Sequence, residues 1–388
     1  MMKTKHIYLF VLLILTGCIS DFEANLPYKD EDILVIEGDI VSNTECDIIL
    51  SKTFALEDDR QPENTIRAKI VLVGDDGYRS EEAYYAGRGI HRLAVGNLKA
   101  DVAYSLEIIC EGQTYTSTPE KPLHTPEIDN ISWKQADKDG TVSIRVSTSQ
   151  DESEVSYYMW DYVEDWEYAS RFLVVNFYDP KKREMITYDE DPYYFCWRTK
   201  KGKEILIGTT EALRENRIAN QELYTRECSD ERFSLLYSIR VKQYALTKKA
   251  YEYFQNRARL SNDMGGLFTP QPSELKGNVT CTTDKSKKVI GYINTMLNTT
   301  SKQLFISPDE IRGATYVQSC LILTSFEALT MMKDEDIKNY HDFYLRGFWP
   351  LDGETLDETT QWTKPNCIDC RLRGGTKNKP DFWPNNHQ

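Results

Sequence analysis

Between residues 66 and 72 every second position is apolar. Ile66, Ala68, Ile70 and Leu72 fall on one side, with Arg67 and Lys69 between them. A period of two places alternate side chains on opposite faces of an extended chain, so this run reads as a strand with one face in a core. Short runs rich in branched and aromatic residues recur at 33–40, 47–50 and 104–109, separated by turn residues such as Gly74-Asp75-Asp76-Gly77 and Gly87-Arg88-Gly89. One-sided strands have to cover their apolar faces with a second layer, which restricts the chain to packed sheets.

Leu98 precedes Tyr104 by six residues, and Leu106, Ile108 and Cys110 follow on the same face. This resembles the tyrosine corner of an immunoglobulin or fibronectin-type sandwich. We therefore expect a mainly β chain, with an N-terminal immunoglobulin/fibronectin-like β-sandwich over residues 31–125. The prolines of Lys121-Pro122-Leu123-His124-Thr125-Pro126 should break it, since proline removes a ladder donor and restricts the residue before it. A larger β-rich domain with a helical insertion is expected over 126–360, and a cysteine-rich tail packed on it over 361–388.

Within that second domain Val142, Ile144 and Val146 alternate with polar partners, as do Leu235, Tyr237, Ile239 and Val241. At Thr247, a candidate N-cap, the period changes, and Ala250, Phe254 and Ala258 repeat as on one helix face, closed by Gly265-Gly266. Further β runs are read at 288–297 and 303–306, and the form of 321–345 stays open. The most aromatic stretch sets Tyr158, Trp160, Tyr162, Trp166 and Tyr168 on one strand face, interrupted only by Glu164. Asp161, Asp165 and Glu167 lie opposite. Such a stripe has two readings, a sandwich core or a flat platform for sugars or a protein partner, with Tyr158, Trp160, Tyr162 and Trp166 as the candidate binding aromatics.

The N-terminus reads as an export segment. Lys3 and Lys5 precede an apolar run from Ile7 to Leu15, and Leu15-Thr16-Gly17-Cys18 resembles the bacterial lipobox. The run is shorter than the roughly 20 residues a bilayer-spanning helix needs. Residues 1–17 are thus expected to be a lipoprotein signal peptide, Cys18 the lipidated residue, and 18–30 an acidic tether whose Ser20, Asp21 and Glu23 resemble a surface-export signal. Loss of Lys3 and Lys5 from 47 basic residues against 61 acidic ones moves the net charge from −14 to −16. So acidic a chain argues against nucleic acid as a partner, because phosphate binding needs clustered cations.

Cys46, Cys110, Cys196, Cys228, Cys281, Cys320, Cys367 and Cys370 remain as candidate disulfide cysteines for an exported chain. Cys46 with Cys110 is the expected pair of the first domain. The tail pair Cys367-Ile368-Asp369-Cys370 is expected to form separate structural bridges, each cysteine tied to a different part of the second domain. A redox or zinc reading fits it poorly, because Arg373-Gly374-Gly375 follows where a helix or second ligand pair is needed. The signatures of zinc hydrolases, serine hydrolases and phosphate loops are absent from the sequence. His91, His124, His341 and His387 read as surface or structural residues. We assign no catalytic residue, metal or cofactor, and a carboxylate-dependent hydrolase stays as an alternative whose geometry only a fold can test.

Several segments together resemble one family, the Bacteroidota outer-membrane lipoproteins known as domain of unknown function 4249. They are Phe268-Thr269-Pro270-Gln271-Pro272, Gly277-Asn278-Val279-Thr280-Cys281, the stretch 237–253, Cys196-Trp197, and Cys367 to Cys370 through Gly374-Gly375 to Lys379-Pro380-Asp381-Phe382-Trp383. The resemblance implies a lipid-anchored, surface-exposed outer-membrane protein beside a TonB-dependent transporter, acting as a binding accessory in nutrient uptake. An adhesin or structural envelope protein is the further alternative.

Overall fold

The computed structural model describes residues 33–53, 65–137, 140–148, 155–262, 275–332, 337–351 and 356–384. Cys18, the acidic tether, Gly265-Gly266 and the motif 268–272 lie outside them. Seven strands open the chain: β1 (Leu34–Val41), β2 (Glu45–Lys52), β3 (Ala68–Gly74), β4 (Tyr84–Gly87), β5 (Ile90–Ala94), β6 (Tyr104–Cys110) and β7 (Gln113–Ser117). They form two sheets, ordered β1-β2-β5-β4 and β7-β6-β3, the strand order of a constant-type immunoglobulin sandwich. The alternation of β3 has the predicted sense, with Ile70 and Leu72 buried. Tyr104 is buried and its hydroxyl accepts the Lys99 N–H at 2.9 Å, so the corner ties β6 to the loop before it.

The second sandwich packs β8 (Ile128–Gln135), β9 (Thr141–Thr148) and β15 (Gln221–Glu227) against a sheet built on β10 (Tyr157–Ala169). Between β10 and β15 come a hairpin, β11 (Asn176–Asp179) with β12 (Glu184–Thr187), then β13 (Phe195–Lys201) and β14 (Leu206–Thr209). β13 and β14 pair with the two halves of one edge of β10, and β16 (Tyr237–Ala245) pairs with the other edge from Tyr158 to Trp166. After β16 the helix α1 (Lys248–Asn262) begins where expected, with the Thr247 hydroxyl accepting the Ala250 N–H at 3.2 Å. Its Ala250 and Tyr253 pack into the core of the first sandwich, as do Met159 of β10 and Tyr244 of β16. The two sandwiches therefore share side chains along one seam.

The order of elements in space departs from their order in the sequence after α1. β17 (Val279–Cys281) adds to β7, while β18 (Val289–Ile290) and β19 (Ile293–Met296) run parallel to β1. The segment 279–296 thus belongs to the first sandwich, not to the block 126–360 expected from the sequence. The physical reason is edge satisfaction. β1 and β7 would otherwise expose unpaired backbone donors and acceptors, and one returning segment covers both edges. The Gly277-Asn278-Val279 motif makes that return possible. A Cβ on Gly277 would lie 1.6 Å from Gly291 O, and the buried Asn278 amide exchanges two 2.9 Å bonds with the Ile293 backbone.

β20 (Thr300–Ile306) then pairs with β16. The stretch 321–345, whose form the sequence left open, becomes part of a small lobe, with β21 (Ile322–Thr324), α2 (Ser325–Met332), α3 (Tyr340–Leu345), β22 (Trp349–Pro350) and β23 (Gln361–Thr363) around a Phe343–Trp362 stack at 3.9 Å. Two disulfides hold this end, Cys320–Cys367 within the lobe and Cys196–Cys370 between β13 and the tail. The tail cysteines are bonded to different parts of the chain, and buried Trp383 donates to Glu167 Oε2 at 3.1 Å.

Candidate functional site

Cys46, Cys110, Cys228 and Cys281 are free, buried thiols, and the expected Cys46–Cys110 bridge does not exist. Their places in the sandwich explain why. Cys46 follows the β1–β2 turn, whose Asn43 bonds Gly96 O, at the end where β6 begins. Cys110 closes β6, six residues or about 20 Å further on at the usual strand rise. The Cys46 sulfur instead accepts the Val41 N–H at 3.2 Å, and burial pushes its thiol up, away from a reactive thiolate. His91 is equally committed. Its buried Nε2 accepts the Ala68 N–H at 2.9 Å, and burial holds its pKa down, so it is a neutral structural imidazole.

The aromatic stripe is not a binding platform. Tyr158, Trp160, Tyr162 and Trp166 are each at most 4% exposed and form the core of the second sandwich, because β9 and β15 cover that face of β10. Glu164, which interrupts the stripe, is fully buried among them. It is paired with Arg232 at 3.2 Å and Arg226 at 3.5 Å, and accepts from the Tyr224 and Tyr237 hydroxyls at 3.2 and 3.1 Å. A buried carboxylate is tolerable only with such compensation.

Only the start of β10's polar face meets a cleft: Asp161 lines it, while Asp165 and Glu167 are buried elsewhere. This cavity of about 580 Å³ lies along the seam between the sandwiches, within the size range of small-ligand sites. One wall is the outer face of β1 and β2, where alternation sends Ile36 and Ile40 inward and leaves Glu37, Asp39, Glu45 and Asp47 outward. The opposite wall carries Asp161 of β10, Lys201 at the end of β13, Glu204 of the β13–β14 connection, and Lys242 and Tyr244 of β16. Phe254 and Arg257 of α1 close one end.

Most of these groups are positioned by neighbours. Asn294 Nδ2 donates to Asp39 Oδ1 at 2.7 Å, and the Tyr244 hydroxyl donates to Asp161 Oδ2 at 3.2 Å. Lys201 Nζ stands 3.5 Å from the same Asp161 oxygen, Lys242 Nζ lies 5.0 Å from the Tyr244 ring centre, and Arg257 pairs with Glu37. Burial pushes the Asp39 carboxyl up; the Asn294 bond partly offsets this, and the charge of Asp161 adds to it. Glu204 shows the reverse. Burial acts to raise it, yet the Tyr162 hydroxyl at 2.7 Å and backbone donors win and hold it below the usual range.

The cleft thus offers fixed acceptors, ammonium donors and hydroxyls on rigid strands, an arrangement suited to a polar, hydrogen-bonding ligand. None of its polar residues was singled out by sequence except Asp161, and that only as lying opposite the aromatics. The available signal was the placing of Glu37 and Asp39 at alternate positions of an otherwise apolar strand.

A family model described as a domain of unknown function (DUF4249) matches residues 19–302, which hold the described strands of both sandwiches up to the start of β20 but neither the small lobe nor the tail. The resemblance read from Cys367 to Trp383 therefore lies beyond the matched part. No curated protein matches the chain. Among solved structures, trypsin-activated α2-macroglobulin from Escherichia coli is similar over 57% of this chain at 10% identity and a TM-score of 0.18. The chain spans 15% of the length of that structure.

Proposed function

The chain belongs to the DUF4249 family, and from that premise we propose that it is a binding protein whose inter-sandwich cleft holds a polar ligand such as an oligosaccharide or short peptide. The observation that carries this reading is the cleft itself, with Asp39, Asp161, Lys201, Lys242 and Tyr244 facing one cavity from elements fixed by two cores. We place the protein on the outer membrane, anchored through Cys18 and displayed at the cell surface, as a binding accessory to a TonB-dependent transporter. Support for that placing comes from the lipobox-like Leu15 to Cys18, the acidic tether and the family resemblance. Among the described residues no helix is long and apolar enough to cross a membrane.

The test is to purify the acylated chain from outer membranes, identify a co-purifying barrel, and release bound ligand for mass spectrometry. A barrel and an intact polar ligand are expected. Lys242→Ala or Asp161→Asn should weaken ligand binding by about ten- to a hundredfold, as expected for a charge-assisted hydrogen bond of about 1.5–3 kcal/mol. Isolation without a barrel, or binding indifferent to both substitutions, would refute the proposal.

A hydrolase is the second reading, favoured by one observation. Asp39 and Asp161 share the cleft, with the first raised and the two interacting, as an acid and its partner carboxylate would be. Recovery of cleaved rather than intact ligand, lost in Asp39→Asn, would select it.

A further inference from the structure

A second cavity, of about 670 Å³, lies in the first sandwich where the returning segment passes β1. Its rim carries Lys276, Lys285, Lys287 and Lys288, all exposed, and half-buried Ile33, Leu275, Val289 and Ile290 contribute apolar surface beneath them. Among the described residues that line it none is acidic, and Asp284, next to Lys285 in the chain, is bound by the Ser286 hydroxyl and N–H at 2.6 and 3.0 Å and is held low by them. This concentration occurs in a chain with a net charge of −14. Lys285, Lys287 and Lys288 are close in sequence, whereas Lys276 and Ile33 are brought to them by the return, with Leu34 opposite Val289.

The position of Ile33 gives the cavity its meaning. Fifteen residues separate it from Cys18, a span of no more than about 54 Å fully extended. The described residues begin at Ile33, on the lysine rim itself. An anchored body therefore holds this surface within reach of the membrane, and lysines gain favourable energy beside anionic headgroups while their stems lie over apolar surface.

We propose that the lysine-rimmed cavity is a docking surface for the phosphate headgroups of the membrane that carries the anchor. It orients the body so that the first sandwich, not the small lobe, faces the bilayer. The proposal rests on the reading of Cys18 as the lipid anchor.

The test uses the mature chain bearing Cys18→Ser, so that the acyl chains contribute nothing, sedimented with phosphatidylcholine vesicles with and without phosphatidylglycerol. Binding only to the anionic vesicles is expected, weakening with salt and falling about fivefold for each lysine removed. K276Q/K285Q/K287Q/K288Q should abolish it with an unchanged melting temperature, since all four side chains are exposed, while K181Q/K182Q should leave it intact. Equal binding to neutral vesicles, no loss in the quadruple variant, or binding of inorganic phosphate without vesicles would overturn the proposal. So would binding that appears only after Asp30, Glu31 and Asp32 are neutralised, which would make the tether itself the occupant. Acyl labelling of the wild-type chain is scored separately. Its absence removes the anchor reading and this membrane placing, whereas vesicle binding decides the chemistry of the surface.

Discussion

Asp39 and Glu164 are both acids within strands, yet the fold treats them differently. Burial raises Asp39, with Asn294 partly offsetting, so the folded state favours its neutral form. The stability it contributes is full below the ordinary carboxylate pKa of about 4 and is lost as pH rises through the raised value. Asp39→Asn keeps the acceptor for Asn294 and removes that loss. Its melting temperature should exceed that of the wild type at pH 7 by about 2 °C, with the gap closing below about pH 4 in a thermal series. Glu164 is buried but compensated by Arg226, Arg232 and two tyrosines. Glu164→Ala leaves half-buried Arg226 without the carboxylate it pairs with, while Arg232 keeps Asp230 at 2.9 Å, and should cost about 3 kcal/mol in urea unfolding, the low end for breaking a buried pair. Its place in the aromatic stripe was visible in the sequence; its arginine partners, more than sixty residues away, were not.

Among the elements, the return of β17 to β19 is the most consequential. It depends on Gly291, which has φ 122° and whose added Cβ would sit 1.9 Å from Ile36 O. Gly291→Ala should therefore detach β18 and β19 from β1. We expect faster hydrogen exchange across 279–296 together with β1 and β7, and more association between molecules through the freed edges. The disulfides act at the other end of the chain. Denatured without reductant, the protein should show Cys46, Cys110, Cys228 and Cys281 as reactive thiols, which stay silent in the folded state because they are buried. Loss of Cys196–Cys370 through Cys370→Ser should cost about 2–5 kcal/mol, measured by chemical denaturation. The separate bonding of the two tail cysteines was legible from Gly374-Gly375, which stop any α-helix after them, and from the lack of a second ligand pair close by in the sequence. The absence of a Cys46–Cys110 bond was not, because it depends on which end of a sandwich each strand end occupies.

At the scale of the molecule, two sandwiches share side chains along a seam, and that seam is the cleft. Met159 and Tyr244 enter the first core while Tyr158 and Trp160, on the other face of β10, enter the second, which leaves Asp161 and Lys242 between the bodies. The sequence by itself determined the β class, the period of β3, β6, β9, β10 and β16 and the start of α1 at Thr247, since each is written in spacing along a few consecutive residues. It also determined that β10 has an aromatic face and an acidic one. Only the tertiary structure decided which of those faces is core and which meets the cleft. It likewise decided that residues 279–296 complete a sandwich begun more than two hundred residues earlier, and that Lys276 joins Lys285, Lys287 and Lys288 beside Ile33. Those outcomes depend on which sheet covers which face and which edge finds a partner, and period along a chain carries no information about what lies across from it.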